Sequence, residues 1–193
     1  MGVFRGKIMV QKFYTLTDEE LMQVSSQNPE LRFERNADGT LETLPPTGGI
    51  SSNRELKAGA YLLYWVEQQD LGEVFSSSCG FKLANGAVRS PDAAFVAKGR
   101  LPAGWDQGTD EFLNLSPDFV IEIRSKTDGL EKLKDKMQEY MENGVQLGWL
   151  TDRQNQQGFV YRADGSITQY PATATLNGEN VVPGFTLALK SLL

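Results

Sequence analysis

The stretch Asp118-Phe119-Val120-Ile121-Glu122-Ile123-Arg124 decides the fold of this chain. It has the densest apolar content of the predicted strands, which indicates a position in the middle of the sheet. Glu122 interrupts the apolar run, and a carboxylate in such surroundings is costly to desolvate unless a cation or a hydrogen-bond donor meets it. The alternative for Glu122 is an edge strand that carries the acid on its wet face.

A second carboxylate lies 30 positions earlier in a similar setting. Pro91-Asp92 opens the strand-like run Asp92-Ala93-Ala94-Phe95-Val96. Taken alone, an aspartate after proline at a strand start is more often a turn or cap residue. Two carboxylates on strands together suggest a shared cation, and carboxylate oxygens suit the hard ions Mg²⁺ and Mn²⁺.

The patterns on the N-terminal side of these strands predict two helices and a hairpin. Thr17-Asp18-Glu19-Glu20 has the capping-box pattern of a helix start. Asp38-Gly39 is a turn dipeptide between two alternating segments, which predicts a β-hairpin. A second helix is predicted from about Asn53 to Gln69, with one side buried. Its apolar positions at helical spacing are Leu56, Ala60, Leu63, Tyr64 and Val66.

Most of the remaining chain is predicted to form strands, with one further helix. That third helix has an apolar stripe and ends at Asn143-Gly144. The stripe consists of Leu130, Leu133, Met137, Tyr140 and Met141. The predicted strands cover residues 31–35, 40–44, 73–77, 80–83, 87–96, 118–124, 147–152, 158–162 and 166–170, before an extended tail. The class is therefore α+β with a mixed sheet, and residues 1–193 are predicted to form one domain.

The composition excludes several kinds of chemistry and of location. The absence of histidine excludes Ser-His-Asp and Cys-His nucleophile systems and the H-E-x-x-H zinc site. The single cysteine, Cys79, excludes an internal disulfide and fits a reducing compartment. The longest apolar stretch, residues 60–66, is far shorter than the roughly 20 residues that a membrane-spanning helix needs. Met1–Gly6 lacks the apolar core of a signal peptide, so a cytoplasmic protein is expected.

The order of these features resembles the PD-(D/E)XK, or restriction-endonuclease-like, superfamily and, within it, the Uma-two family of predicted bacterial endonucleases. The matching segments are Arg32-Phe33-Glu34, Pro45-Pro46-Thr47-Gly48-Gly49, Arg89-Ser90-Pro91-Asp92, residues 116–125, Lys136-Met137-Gln138-Glu139-Tyr140, residues 143–152 and Pro183-Gly184-Phe185. Each short match is weak, but their shared order along nearly the whole chain makes the resemblance specific. It implies a restriction-endonuclease-like mixed sheet flanked by helices, with an N-terminal helix and a β-hairpin.

The resemblance also implies a metal site. Asp92, Glu122 and the backbone carbonyl of Ile123 would hold Mg²⁺ or Mn²⁺. A cation there would lower the pKa of a bound water and offset charge on a phosphodiester. No histidine is required for this chemistry, which agrees with the composition.

The lysine of the superfamily motif is displaced in this chain. Arg124 occupies its position, two residues after the glutamate, where it can stabilise phosphate charge but cannot deprotonate water. The family pattern K-x-x-x-Y instead indicates Lys136, with Tyr140 one helical turn further on. Lys134 borders the apolar stripe about as closely, and helical geometry alone does not choose between the two lysines. Glu34 is a further acidic candidate, since superfamily members often place an acid on an N-terminal element near the metal.

The function that the resemblance implies is divalent-metal-dependent hydrolysis of phosphodiester bonds in DNA by an endonuclease. A homodimer is expected, because cutting two strands needs two sites. The net charge of −6 argues against a uniformly basic DNA-coating surface. One alternative is therefore a catalytically inactive module of the same fold that binds nucleic acid or protein, which Arg124 in the lysine position also favours. Another is a phosphodiesterase that acts on nucleotides.

Overall fold

A computed structural model describes residues 16–44, 46–107 and 111–193 of the chain. The expectations drawn from Met1–Gly6, and from Pro45 in the second matching segment, lie outside the described residues. In chain order the elements are α1 (Asp18–Gln27), β1 (Arg32–Arg35), β2 (Leu41–Leu44), α2 (Gly49–Gln69), β3 (Gly72–Ser76), β4 (Phe81–Lys82), β5 (Val88–Arg89), β6 (Ala93–Ala97), β7 (Phe119–Ile123), α3 (Leu130–Glu142), β8 (Leu147–Asp152), β9 (Gln157–Arg162), β10 (Ile167–Pro171), β11 (Thr175–Asn177), β12 (Thr186–Ala188) and a short 3-10 turn (Leu189–Ser191).

The main sheet has six strands in the order β10-β9-β8-β7-β6-β3. Strand β7 lies inside it, parallel to β8 and antiparallel to β6, and each of its residues is buried. A strand buried on both faces cannot alternate between apolar and polar residues, which accounts for the near-continuous apolar run. The predicted central position of this strand and the mixed α+β class are therefore confirmed.

A helix covers each face of the main sheet. Ala58, Leu62 and Val66 of α2 belong to one core cluster, together with β7 and β8 residues such as Ile121 and Trp149. Met137 and Tyr140 of α3 belong to the cluster on the other face, with Val120 and Leu150. The α3 residues were predicted as part of the apolar stripe, and the helix ends one residue before the predicted Asn143-Gly144 stop.

Two local predictions at the N-terminal end are also confirmed. The Thr17 hydroxyl accepts the Glu20 N–H at 3.2 Å, and the Glu20 carboxylate accepts the Thr17 N–H at 2.8 Å, so α1 begins with a complete capping box. Strands β1 and β2 form the predicted hairpin, in which Arg32 pairs with Leu44 and Arg35 with Leu41.

The predicted buried face of α2 is wrong. Leu56, Leu63 and Tyr64 are 71%, 40% and 67% exposed, and only Val66 of the predicted stripe is buried. The helix also begins at Gly49, four residues earlier than predicted, because its N-cap Gly48 has no capping side chain to mark the start. Between residues 56 and 66 both sides of this helix are apolar, so the periodicity did not identify the side that packs on the sheet.

The predicted strand 87–96 is two strands in different sheets. Strand β5 belongs to a second sheet, ordered β2-β1-β5-β4, and β6 belongs to the main one. Pro91 lies between them and has no N–H to donate to a ladder, which accounts for the break. The break joins the two sheets beside Asp92, and the Ser90 N–H donates to Glu34 of β1 at 2.9 Å.

The C-terminal segment was predicted as an extended tail. It instead includes a two-stranded pair, in which Thr175 of β11 is opposite Ala188 of β12. Leu176, Phe185 and Leu187 of this segment belong to the core cluster beneath α2. Among the described residues no helix combines the length and the apolar character needed to cross a lipid bilayer.

Candidate metal centre

A cavity of about 890 Å³ lies where the β1–β2 hairpin, the N-terminal end of α2 and the side of α3 meet the carboxyl end of β7. Its lining includes Glu34, Asp92, Glu122, Ile123 and Lys136. These residues come from four separate elements of the chain, and all five were candidates on the sequence. The structure therefore brings most of the predicted site residues into one cavity.

Asp92 and Glu122 are neighbours because of the register between β6 and β7. Ala93 is opposite Ile121 in this antiparallel pair, so the next residues outward, Asp92 and Glu122, lie side by side on the same face. Asp92 Oδ2 accepts the Ile123 N–H at 2.7 Å. Burial, and then the negative charge of Glu122, raise the pKa of Asp92 well above its usual value. The negative charge of Glu55 on α2 acts in the same direction.

Glu122 is nearly inaccessible to solvent and has two donors on one oxygen. Its Oε1 accepts the Tyr140 hydroxyl at 2.9 Å and lies 2.9 Å from the Lys136 ammonium. Burial nevertheless raises the pKa of Glu122, because the stabilisation by Lys136 does not offset the loss of water. Two adjacent carboxylates with raised pKa values form a pair whose ionised state a cation would stabilise.

Lys136 is the lysine that reaches this pair. Its ammonium also donates to Glu34 Oε1 at 2.9 Å. Burial alone would lower the pKa of Lys136, but the charges of Glu122 and Glu34 outweigh burial and raise it above the usual value. Lys134, which helical geometry could not exclude, instead contacts Glu131 and lies 5.3 Å from the centre of the Phe159 ring. The structure thus places Lys136, and not Lys134, on the cavity.

Glu34 lines the cavity, but both of its carboxylate oxygens accept donors from the protein. Its Oε1 accepts the Ser90 N–H and the Lys136 ammonium, and its Oε2 accepts Arg89 at 3.3 Å. Burial would raise the pKa of Glu34, but the charges of Lys136 and Arg89 hold it below its usual value. Arg89 also donates to Glu139 of α3 at 2.6 Å. Glu34 therefore holds Lys136 in place through a buried ionic network.

Arg124 does not line the cavity. Its guanidinium donates to Asp152 Oδ1 at 2.9 Å and to the Asp128 carbonyl at 3.0 Å. Asp152 is fully buried and also accepts hydrogen bonds from Asn155 and Gln157. These contacts make Arg124 a partner that neutralises a buried carboxylate at the end of β8, and no contact among the described residues links it to Asp92 or Glu122.

The Arg124–Asp152 pair predicts part of the acid sensitivity of the fold. Burial would raise the pKa of Asp152, but its donors Asn155, Gln157 and Arg124 hold it below the ordinary 3.8. A carboxyl group with a lowered native pKa stabilises the fold above its unfolded pKa, and the stabilisation is lost as pH falls through the native value. We expect Asp152→Asn to unfold more easily at neutral pH and to lose less stability than wild type between pH 5 and pH 2.

Chemical denaturation at a series of pH values measures this difference. Asp106→Asn is the matched control, because Asp106 is exposed in the loop between β6 and β7. An Asp152→Asn variant whose stability fell with acid as steeply as that of wild type would contradict the assignment.

The donor set fits a divalent cation. The network contains four carboxylates and two cations, so it carries two more negative than positive charges when fully ionised. The carboxylates are Glu34, Asp92, Glu122 and Glu139, and the cations are Arg89 and Lys136. Among the described residues, Asp92 Oδ1 and Glu122 Oε2 receive no hydrogen bond, which leaves one oxygen of each acid for an ion.

The same donor set limits the kind of ion. Within the described part of the chain, no three or more His, Cys, Asp or Glu side chains cluster closely enough to hold a metal by themselves. Asp92 and Glu122, with the Ile123 carbonyl, would therefore supply half or less of an octahedral shell. Mg²⁺ commonly binds in this way, because it keeps several waters and uses only one or two carboxylates.

Sequence reasoning missed several residues of the network. Arg89 and Glu139 were part of matching segments but received no role, and Glu55 was not singled out. Tyr140 was assigned to core packing, and the structure shows it both buried and donating to Glu122. A usable signal existed only for Arg89, since a charged residue in a short strand just before Pro91-Asp92 is unusual in a core.

Comparison with known proteins places these observations in a family. A sequence model described as "Uma2: Putative restriction endonuclease" matches residues 18–190. Among solved structures, the chain is similar to a crystal structure of a putative nuclease belonging to DUF820 from Anabaena variabilis, with a TM-score of 0.78 and 21% identity. The match covers 92% of this chain and 97% of that one, and it shows a shared fold. No curated protein matches the chain.

Proposed function

The chain belongs to the Uma2 family of putative restriction endonucleases, and on that premise we propose that it hydrolyses phosphodiester bonds in DNA with Mg²⁺ or Mn²⁺ as cofactor. The observation that carries the proposal is the pair of carboxylates formed by the half-buried Asp92 and the buried Glu122, with the Lys136 ammonium 2.9 Å from Glu122. A pair of acids beside a fixed cation is suited to holding a metal and a phosphate together.

The residues of the cavity divide the chemistry between them. A divalent ion held by Asp92, Glu122 and the Ile123 carbonyl would lower the pKa of a water and offset charge on the phosphate. The charges of Glu122 and Glu34 outweigh burial and raise the pKa of Lys136, so we assign this ammonium the role of stabilising negative charge on the phosphate. Tyr140 fixes the orientation of Glu122, and Glu34 fixes that of Lys136.

Acidic and basic side chains both line the cavity, and the basic ones outside the ionic network are the candidates for contact with a polyanionic substrate. Arg32, Lys126, Lys132 and Arg153 line the cavity beyond the carboxylate pair. Lys132 is held by an ion pair with Glu42 of the hairpin, whereas Lys126 is exposed on the loop before α3. Positive groups placed here would contact the phosphates that flank the scissile bond.

Other parts of the proposal come from the sequence and from the family resemblance, and not from the cavity. They are that residues 1–193 act as a single domain, that the protein works in the cytoplasm, and that it forms a homodimer. No contact among the described residues supports the catalytic role that the resemblance implies for Arg124. Its guanidinium donates instead to the Asp128 carbonyl and to the Asp152 carboxylate.

Cleavage assays on Glu122→Gln test the proposed function. We expect purified wild type to cut DNA in the presence of Mg²⁺ or Mn²⁺ and to lose activity when the metal is chelated. Glu122→Gln keeps the shape of the side chain and an oxygen for Tyr140, but removes the charge, so we expect a loss of at least about a hundredfold.

The matched control is Glu131→Gln, which makes the same change on the first turn of α3, where Glu131 is 81% exposed. Purified in the same way, it should cut as wild type does. Equal cleavage by both variants would mean that the activity comes from a contaminant or from another site. Cleavage by none of the three proteins would favour a binding module without catalysis.

A further inference from the structure

Helix α2 has an apolar face that the described part of the chain leaves exposed. Leu56, Leu63 and Tyr64 are 71%, 40% and 67% exposed, and Ala60 between them is exposed as well. At 3.6 residues per turn these four positions form one stripe along the helix. The opposite face, with Ala58, Leu62 and Val66, packs on the main sheet. The stripe is thus a second apolar face that the fold does not use.

An exposed apolar stripe of this length on a charged protein commonly marks an interaction surface. The residues beside it suggest what the partner carries. Lys57 borders the stripe in the N-terminal half of α2, and Glu67 lies on the stripe near the C-terminal end. Within the described residues neither Lys57 nor Glu67 makes an ion pair, so both charges are available to a partner. A partner that paired with both charges would carry an acidic residue opposite Lys57 and a basic residue opposite Glu67, at the two ends of its apolar surface.

A second copy of α2, running antiparallel, has this arrangement. When Lys57 of one copy lies opposite Glu67 of the other, the same two-fold register places Ala60 opposite Tyr64. It therefore aligns opposite charges at both ends and sets a large ring against a small residue in the middle. Packing of large on small side chains allows two helices to approach closely. One register thus satisfies charge and shape together.

We propose that α2 is a self-docking surface, through which two copies of this chain associate by antiparallel contact of the stripe Leu56, Ala60, Leu63 and Tyr64. Ser51 and Glu55 of the same helix line the cavity, so the dimer would place its two cavities toward opposite ends of the helix pair. Along the helix axis their separation would be on the order of 25 Å at 1.5 Å per residue. Each cavity is built within one chain, so the inference does not depend on the proposed chemistry.

The oligomeric state of full-length variants, measured by sedimentation velocity over a range of concentrations, tests this surface. Wild type should be a dimer that dissociates on dilution. Ala60→Glu places a charge in the middle of the stripe at an exposed helical position, and we expect it to be monomeric at concentrations where wild type is dimeric. Ile167→Glu is the matched control, because Ile167 is 53% exposed on the edge strand β10, and it should stay dimeric.

Charge reversal tests the register. Lys57→Glu and Glu67→Lys each put like charges opposite one another twice in the dimer, and we expect each to weaken association at least tenfold. The double variant Lys57→Glu/Glu67→Lys restores opposite pairs and should dimerise as wild type does. The proposal is overturned if wild type is a monomer at every concentration, since the stripe would then serve a different partner. It is also overturned if Ala60→Glu stays dimeric or if the double reversal fails to restore association.

Discussion

Lys136→Met is expected to destabilise the fold by about 3–5 kcal/mol, because it leaves the buried carboxylates of Glu34 and Glu122 without their shared cation. It should also abolish metal-dependent cleavage, since the positive charge beside the substrate phosphate is lost. Lys134→Met on the same helix should change stability by less than about 1 kcal/mol, because the ion pair of Lys134 among the described residues is with the exposed Glu131. Denaturant unfolding of the two variants measures the contrast.

A double variant separates the contribution of Lys136 to stability from its contribution to catalysis. Glu34→Gln/Lys136→Met removes one carboxylate together with the ammonium, so we expect it to recover part of the lost stability. Activity should not recover, because the positive charge is still absent. If Lys136→Met unfolds at the same denaturant concentration as Lys134→Met, the ionic network does not have the importance that its burial indicates.

Asp92→Asn is expected to move stability and activity in opposite directions. The raised pKa of Asp92 means that its ionised form is less stable in the folded protein than in the unfolded chain, owing to burial and to Glu122. Asparagine keeps an oxygen for the Ile123 N–H and removes the charge. Without metal we expect the variant to be more stable than wild type at neutral pH, because folding no longer buries an ionised Asp92 beside Glu122.

Added metal should reverse this order. Mg²⁺ or Mn²⁺ at saturating concentration is expected to raise the unfolding temperature of wild type and to leave that of Asp92→Asn unchanged, because binding stabilises only the protein that binds. Cleavage by Asp92→Asn should fall at least about a hundredfold. Asp128→Asn is a useful control, because Asp128 lines the same cavity but accepts the Ser125 N–H at its own loop. A less stable Asp92→Asn variant in the absence of metal would contradict the repulsion between the two acids.

The central strand was predictable because its chemistry is local. An apolar run such as 119–123 has one stable environment, the interior of a sheet. The carboxylate within it is costly to bury unless a cation or a hydrogen-bond donor meets it. The same argument failed for α2, whose apolar residues lie on two faces between positions 56 and 66. Which face of α2 packs inward depends on the sheet surface that the helix contacts, and the periodicity of the helix sequence does not specify that surface.

The ionic network was not predictable for a different reason. Lys136 and Glu34 are 102 residues apart in the chain, and Arg89 and Glu34 are 55 apart. Taken alone, Lys136 and Glu34 are ordinary surface charges, and burial gives them a role only after the two sheets meet at Pro91. The family resemblance indicated Glu34 and Lys136 as site residues, but only the contacts show what each does. Glu34 positions the Lys136 ammonium, and both of its carboxylate oxygens accept donors.

Calorimetric titration of Mn²⁺ into wild type and into Asp92→Asn/Glu122→Gln is the most direct test of the carboxylate pair as a metal centre. The two substitutions keep side-chain shape and remove both charges, and the fold of the variant can be checked by its unfolding transition. We predict saturable binding at one site per chain in wild type and none in the variant. Equal binding by both proteins, or no binding by folded wild type up to millimolar Mn²⁺, would contradict a metal site at Asp92 and Glu122.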